Sequence, residues 1–184
     1  MPDVWNQWEL GLLDGLQELL QNTVLDLLMP IISFLGNGGW IWIVCALVLL
    51  CLPAYRQTGM TLLAGLLCGL LIGNVLLKLT VARERPCWIN DAYALLIKSP
   101  SDYSFPSGHT LSSAIGATVL TLRNQKFGWV AIPLAVLIAF SRLYLYVHFP
   151  SDVLTGAVLG VAIGFAVTAA MKRLERYRKE RLSR

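Results

Sequence analysis

The chain has 184 residues, of which 56% are hydrophobic and only 14% are charged, and its mean hydropathy is +0.62. This composition excludes an ordinary soluble domain and indicates an integral membrane protein. The net charge of +4 does not call for a nucleic acid partner, because seven of the fifteen Lys and Arg residues lie in 172–184. We interpret 172–184 as a basic cytoplasmic tail beside anionic lipid.

The first 22 residues mix apolar and acidic side chains. Trp8, Leu12 and Leu13 alternate with Glu9 and Asp14, and the segment lacks the basic start and uniform apolar core of a signal peptide. We therefore predict an amphipathic helix over 1–22 that lies at the membrane surface.

Six apolar segments follow this helix. A membrane span needs about 20 residues, so six spans with short loops use nearly the whole chain. We predict an all-α, polytopic membrane helix bundle of about six transmembrane helices in one domain, 1–184. The first two segments are short, which makes five spans the alternative. The segments are 23–35, 39–52, 60–81, 110–122, 127–147 and 153–171.

Basic residues predict how the bundle is oriented. Arg56, the pair Arg123 and Lys126, and the tail are separated from one another by two predicted spans each. They should share the cytoplasmic side, together with both termini. The connections 82–105 and 148–151 would then face outward.

Two rows of glycines lie on the third and sixth segments. A spacing of four residues places each row on one helix face, where small residues allow close helix contact. We interpret both rows as packing surfaces. The glycines are Gly65, Gly69 and Gly73, and Gly156, Gly160 and Gly164.

The first cluster of unusual residues closes the third segment. Lys78 lies near the end of an apolar run, where a charge costs at least about 2.5 kcal/mol unless it snorkels or binds an anion. Arg85 follows, and its planar fork suits phosphate oxygens. Arg83 and Glu84 are interpreted as loop charges that pair with each other.

The second cluster, Pro106-Ser107-Gly108-His109, precedes an apolar helix. Unpaired backbone N–H groups make a helix start a site for phosphate. Gly108 allows close approach, and Ser107 can cap the helix or donate its hydroxyl. Capping does not explain His109, because an ionisable residue on a membrane helix is more often functional.

The third cluster joins the fifth and sixth segments. Arg142 is predicted to lie about one and a half turns inside its span and therefore to need an anionic partner. Pro150 suits the first turn of the next helix. Asp152, four residues after His148, can orient the imidazole or simply cap that helix.

Together these clusters resemble the three-part signature of the type 2 phosphatidic acid phosphatase superfamily. The matching patterns are Lys78-x6-Arg85-Pro86, Pro106-Ser107-Gly108-His109 and Ser141-Arg142-x5-His148-x3-Asp152. The resemblance implies catalytic roles for three residues: His148 attacks phosphorus, Asp152 orients it, and His109 protonates the leaving oxygen and then activates water.

The same resemblance implies that the phosphate is bound by Lys78, Arg85, Ser107, Gly108 and Arg142. Cations and helix N–H groups can replace a metal at such a site, so we predict metal-independent hydrolysis with no cofactor. The four cysteines form no evident disulfide framework or metal pair.

The resemblance also implies a lipid substrate and a bacterial plasma membrane, with the active site on the extracytoplasmic face. Candidate substrates are phosphatidic acid, phosphatidylglycerol phosphate, diacylglycerol pyrophosphate and undecaprenyl diphosphate. A vanadate-dependent haloperoxidase has a similar site, but those relatives are soluble. The alternative is a non-catalytic protein that binds or transports lipid phosphates. The sequence does not indicate an oligomeric state.

Overall fold

A computed structural model describes residues 4–182, and side chains from residue 6 onward. This part of the chain contains helices and no strand, as the predicted all-α class requires. The ends of the predicted N-terminal helix and basic tail, residues 1–3 and 183–184, lie outside the described residues. The helices are α1 (Val4–Leu20), α2 (Thr23–Leu35), α3 (Trp40–Cys51), α4 (residues 56–81), α5 (Pro86–Ile89), α6 (Gly108–Arg123), α7 (Gln125–Tyr144) and α8 (Pro150–Leu182).

Three helical stretches within residues 4–182 are long and apolar enough to cross a membrane, namely Pro53–Ile89, Gln125–Tyr144 and Pro150–Leu182. The pair formed by α2 and α3 is bent by 42° and would be a fourth if it counts as one broken span. These helices make the chain an integral membrane protein.

Helix α6 lies at the centre of the bundle and packs against α4, α7 and α8. The row Gly65, Gly69 and Gly73 on α4 faces Leu111 and Ile115 of α6. A Cβ atom on Gly160 of α8 would meet the backbone oxygen of Leu111 at 2.6 Å. Both glycine rows therefore let helices approach α6 closely, which confirms their interpretation as packing surfaces.

Contacts along α8 show which ends of the helices lie together. Near its start, Ser151 binds Glu9 of α1, and near its end Glu175 binds Arg123 at the end of α6. Asp152 and Glu175 are roughly 35 Å apart at about 1.5 Å per residue. The N-terminal helix and the C-terminal tail therefore lie at opposite ends of the bundle. The described residues therefore do not support the prediction that both termini share one side.

Helix α2 does not carry the chain across the bundle by itself. Near the start of α2, Asp26 accepts a hydrogen bond from Tyr144 at the end of α7. Near the end of α2, Ser33 accepts one from Arg142, which lies in the same last turn of α7. The crossing is made by α3, since the 53–55 turn that follows it packs Tyr55 against Phe127 at the start of α7. The first two predicted segments thus correspond to two helices that bend by 42° where they join.

Candidate active site

Lys78 and Arg85 bind one carboxylate, that of Asp102. Lys78 lies in the last turn of α4, and the helix ends at Ala82, whose φ is 46°. Lys78 Nζ lies 2.5 Å from Asp102 Oδ2, and Arg85 Nη2 donates to Asp102 Oδ1 at 2.8 Å. The two cations of the first cluster are both buried, and they converge on a single anion.

Asp102 is held in its ionised form by these neighbours. Burial alone would raise the pKa of the Asp102 carboxyl, but hydrogen bonds and attraction from Lys78 and Arg85 outweigh it and lower that pKa to about 2. The side chain is 55% exposed. The sequence does not single out Asp102, because an aspartate in a polar loop is ordinary.

Arg85 also determines which nitrogen of His148 carries the proton. Arg85 Nη1 donates to the carbonyl oxygen of Val147 at 2.7 Å and lies 3.1 Å from His148 Nε2. Since a guanidinium group only donates, Nε2 must present its lone pair, and we assign the proton to Nδ1. The unprotonated nitrogen therefore faces the cations.

The other ring nitrogen faces Asp152 across the hydroxyl group of Ser104. His148 Nδ1 lies 3.6 Å from Asp152 Oδ2, beyond hydrogen-bond distance. Ser104 Oγ is 3.3 Å from Nδ1 and donates to Asp152 Oδ2 at 2.5 Å. All three side chains are buried. The predicted pair of His148 and Asp152 is therefore bridged by a serine that the sequence did not identify as part of the site.

His148 is kept neutral by its surroundings. Burial, followed by the positive charges of Arg85, Arg142 and Lys78, holds the pKa of its imidazole well below the ordinary value of 6.5. A neutral ring with an unprotonated Nε2 is the form that attacks an electrophile.

The second cluster forms the start of α6. Ser107 caps the helix, since its Oγ accepts from Thr110 N at 3.4 Å, and its own N–H donates to the backbone oxygen of Asp152 at 3.1 Å. Gly108 lies close to Asn74, which a Cβ atom would meet at 3.0 Å. This arrangement packs the start of α6 directly against the start of α8.

Asn37 holds the ring of His109. His109 Nε2 lies 2.9 Å from Asn37 Oδ1 in the turn between α2 and α3. A Cβ atom on Gly36 would meet His109 Cδ2 at 2.7 Å, so a glycine is needed beside the ring. Asn37 was not identified from the sequence, because nothing in a Gly-Asn-Gly-Gly turn indicates contact with a distant histidine.

Arg142 lies in the last turn of α7 and is 3% exposed. The predicted span ended at residue 147, but α7 ends at Tyr144, so Arg142 is nearer the helix end than one and a half turns. Its Nη1 donates to Ser33 Oγ, and its Nε has no hydrogen-bond partner among the described residues. A buried guanidinium with unused donors is suited to bind an anion.

A cavity of about 860 Å³ connects these groups with an apolar wall. Six of the eight predicted site residues line it, whereas Ser107 and Asp152 do not. Leu63, Leu66, Leu67 and Leu70 of α4 form part of the apolar wall. The six lining residues are Lys78, Arg85, Gly108, His109, Arg142 and His148.

Arg83 is not the simple loop charge that the sequence suggested. Its Nη1 lies 2.7 Å from Asp152 Oδ1, and its Nη2 lies 2.5 Å from Glu9 Oε2. The pairing with Glu84 was therefore wrong. Spacing along the chain could not reveal a partner in α1, because Glu9 is more than seventy residues away.

Known proteins resemble this chain over most of its length. Undecaprenyl-diphosphatase from Sulfolobus acidocaldarius is 36% identical over 166 residues, which cover 86% of this chain and 79% of that protein. Undecaprenyl-diphosphatase BcrC from Bacillus subtilis is 33% identical over 78% of this chain and 74% of that protein. The crystal structure of a transmembrane PAP2-type phosphatidylglycerolphosphate phosphatase from Bacillus subtilis superposes with a TM-score of 0.76 at 25% identity, covering 95% of this chain and 90% of that one.

The sequence pattern of the PAP2 superfamily matches residues 58–176. This range includes all three predicted clusters. The chain therefore belongs to the PAP2 superfamily and is a membrane lipid-phosphate phosphatase.

Proposed function

We propose that His148 is the nucleophile of this phosphatase. Its Nε2 forms a bond to phosphorus while the bond from phosphorus to the leaving oxygen breaks, and His109 gives that oxygen a proton. A water molecule then loses a proton to His109 and attacks phosphorus. The P–N bond breaks, inorganic phosphate leaves, and the electron pair returns to Nε2.

The cations stabilise the charge of the transferring phosphoryl group. Lys78, Arg85 and Arg142 surround the cavity beside His148, and the start of α6 adds backbone dipoles. A loose phosphoryl-transfer transition state is helped chiefly by such fixed positive charge. We propose that these residues make a divalent cation unnecessary, with Ser107 and Gly108 shaping the start of α6.

The orientation of His148 is the observation that carries this proposal. Arg85 requires a lone pair on Nε2, on the side of the ring that faces the cavity, while Nδ1 faces Ser104 and Asp152. A histidine that only stabilised the fold would not need its acceptor nitrogen among three cations.

We propose a polyprenyl diphosphate as the preferred substrate. The apolar wall of the cavity, formed by leucines of α4, continues from the cation cluster and can receive a lipid chain. The two undecaprenyl-diphosphatases that resemble this chain support this choice. Phosphatidylglycerol phosphate, phosphatidic acid and diacylglycerol pyrophosphate are the other lipids to compare.

We propose that the bundle crosses the membrane five times, through the bent pair of α2 and α3 and through α4, α6, α7 and α8. The active site then faces outward with α1, an interfacial amphipathic helix, and the basic tail is cytoplasmic. Arg56, Arg123 and the tail support this orientation, because they lie at the end of the bundle opposite His148. We keep the interpretation of the chain as one domain.

The substrate proposal is tested by inorganic phosphate release in detergent micelles that contain excess chelator. Wild type and His148→Ala are compared on undecaprenyl diphosphate and on the three other lipids. We expect release by wild type only, fastest from undecaprenyl diphosphate. Activity that disappears with chelator contradicts metal independence, and binding without release by wild type supports the non-catalytic alternative.

A further inference from the structure

Arg83 joins residues 149–152, at the start of α8, to the N-terminal helix α1. Its Nη1 donates to Asp152 Oδ1 and to Ser151 Oγ, both at 2.7 Å. Its Nη2 donates to Glu9 Oε2 at 2.5 Å and to Asn6 Oδ1 at 2.6 Å. The guanidinium also lies over the ring of Phe149, 3.9 Å from its centroid. This one side chain therefore contacts both residues that flank Pro150 and two residues of α1.

Arg83 holds Oδ1 of Asp152, the carboxylate oxygen that does not face His148. Oδ1 binds Arg83, while Oδ2 accepts from Ser104 Oγ at 2.5 Å and from Phe149 N at 2.9 Å. A carboxylate held at both oxygens cannot rotate. The Oδ2 atom is thereby kept beside Ser104 and the Nδ1 side of His148.

Glu9 completes the arrangement from α1. Its side chain is 1% exposed, and it accepts from Ser151 N at 2.7 Å and from Ser151 Oγ at 2.9 Å. Arg83 thus lies between two buried carboxylates. Removing Arg83 would leave both acids without their cation, which is costly in a buried setting.

Helix α1 also holds the loop before His148. Tyr146 has a φ of 58°, a conformation that residues other than glycine and asparagine rarely adopt. Its hydroxyl donates to Asp14 Oδ1 at 2.6 Å, and Gln17 Nε2 donates to the backbone oxygen of Tyr144 at 2.5 Å. The loop that carries His148 is therefore fastened to α1 on both sides of Leu145.

We propose that Arg83 is a positioning residue for Asp152 and that Glu9 gives α1 a part in catalysis through Arg83. This proposal rests on the proposed role of His148. An ion pair that only stabilised the fold would predict lower stability without an effect on kcat in the folded protein. The two explanations therefore differ in what the variants change.

The bundle offers a matched control at its opposite end. Arg123 Nη2 lies 2.6 Å from Glu175 Oε1 and also donates to Thr61 Oγ1. Its side chain is 9% exposed, against 13% for Arg83. Arg123→Gln removes a comparable ion pair far from the site, so it reports the cost to stability alone.

The first measurement is kcat and KM for Arg83→Gln, Arg83→Lys, Glu9→Gln and Arg123→Gln, per folded molecule. We expect Arg83→Gln to lower kcat roughly 100-fold with little change in KM, since small misplacements of catalytic groups cost about this much. Arg83→Lys should restore part of kcat, because a point charge can pair with one carboxylate but not bridge two. Glu9→Gln should lower kcat less, and Arg123→Gln should leave it unchanged.

The second measurement does not depend on turnover. The chain has two histidines, so ¹⁵N labelling of histidine in a protein with a histidine-free tag resolves both rings by NMR. We expect Arg83→Gln and Glu9→Gln to shift the ring signals of His148 and not those of His109, with no shift in Arg123→Gln. A wild type that releases no phosphate would contradict the catalytic role of His148 and leave this readout intact.

Unchanged kcat and unchanged His148 signals in Arg83→Gln would overturn the proposal. If Arg83→Gln does not fold, Glu9→Gln and Arg83→Lys decide in its place. Wild-type values of both readouts in Glu9→Gln would then refute the link to α1.

Discussion

The carboxylate of Asp102 occupies the two cations, Lys78 and Arg85, that we propose bind the substrate's phosphate. Asp102 Oδ2 and Oδ1 lie 2.5 and 2.8 Å from Lys78 Nζ and Arg85 Nη2, and the low pKa of this carboxyl keeps it charged throughout the usual assay range. The side chain is half exposed and belongs to a loop, so it can move aside. We therefore propose that Asp102 is the partner that a phosphate replaces at these buried cations.

Asp102→Asn should therefore bind phosphate more tightly. We expect inorganic phosphate to inhibit this variant at a concentration roughly 10-fold lower than wild type, equivalent to about 1.4 kcal/mol. Its thermal stability without phosphate should fall, because Lys78 and Arg85 lose their anion. Inhibition constants and melting curves measure the two effects. Asp91→Asn, an exposed aspartate in the same connection, is the control, and weaker inhibition in Asp102→Asn would mean that Asp102 positions the cations instead.

Some site residues could be predicted because their chemistry is unusual in their surroundings. Lys78 and Arg142 stand in apolar segments, and His109 stands directly before one, where a charged or ionisable group demands a reason. Ser104 and Asn37 stand in polar connections, where the same groups are common. Their partners lie 44 and 72 residues away, so no local spacing could have indicated them.

Gly160 permits a close approach between α8 and α6. A Cβ atom there would lie 2.6 Å from the backbone oxygen of Leu111 and 2.7 Å from Ala114 Cβ. Backbone cannot move as a flexible side chain does, so any side chain at this position pushes the helices apart. The start of α8 carries Asp152, which links this packing to the site.

Gly160→Ala should lower the free energy of unfolding by about 1–3 kcal/mol, the range typical of overpacking. Gly11→Ala is the matched control, because nothing lies within 4 Å of the Cβ atom that it adds to α1. In an open helical position this change stabilises by roughly 1 kcal/mol. Denaturant unfolding in one detergent compares the two, and equal stability of both variants would show that α6 and α8 separate without cost.

The positions of the helices along the chain were predicted well, but their directions in the bundle were not. The apolar segments 23–35 and 110–122 match α2 and α6 within two residues, because hydropathy reports that a segment avoids water. Hydropathy does not report the direction in which a helix runs, so α2 and α3 were predicted to be separate spans. The buried face of α1 was not predicted either: it carries Glu9 and Gln17 beside Leu13, while Trp8 and Leu19 are exposed.

The two ends of the whole molecule differ in charge and in chemistry. His148, Asp152 and α1 lie at one end, and Arg123, Glu175 and the basic tail lie at the other. An odd number of crossings follows if the described helices span the membrane. The loop charges place Arg56, Arg123 and the basic tail together, as their positions in the bundle do, but they could not indicate that α1 lies at the opposite end.

Cysteine labelling in intact cells tests this arrangement. The four native cysteines are replaced by alanine, and single cysteines are introduced as Lys98→Cys in the outer connection, Glu18→Cys in α1 and Arg178→Cys in the tail. We expect an impermeant reagent to label the first two positions from outside and the third only after the membrane is opened. Protection of Glu18→Cys in intact cells would restore the prediction of six spans, and protection of Lys98→Cys would place the site inside.

The most direct test of the account is to trap the covalent intermediate. Wild type and His148→Ala are mixed with undecaprenyl diphosphate labelled with ³²P at its terminal phosphate, and each reaction is denatured in alkali during turnover. We predict label on wild-type protein that is stable in alkali and lost in acid, as a phosphohistidine requires, and no label on His148→Ala. Turnover by wild type without any such label, or equal labelling of His148→Ala, would contradict the assignment of His148 as the nucleophile.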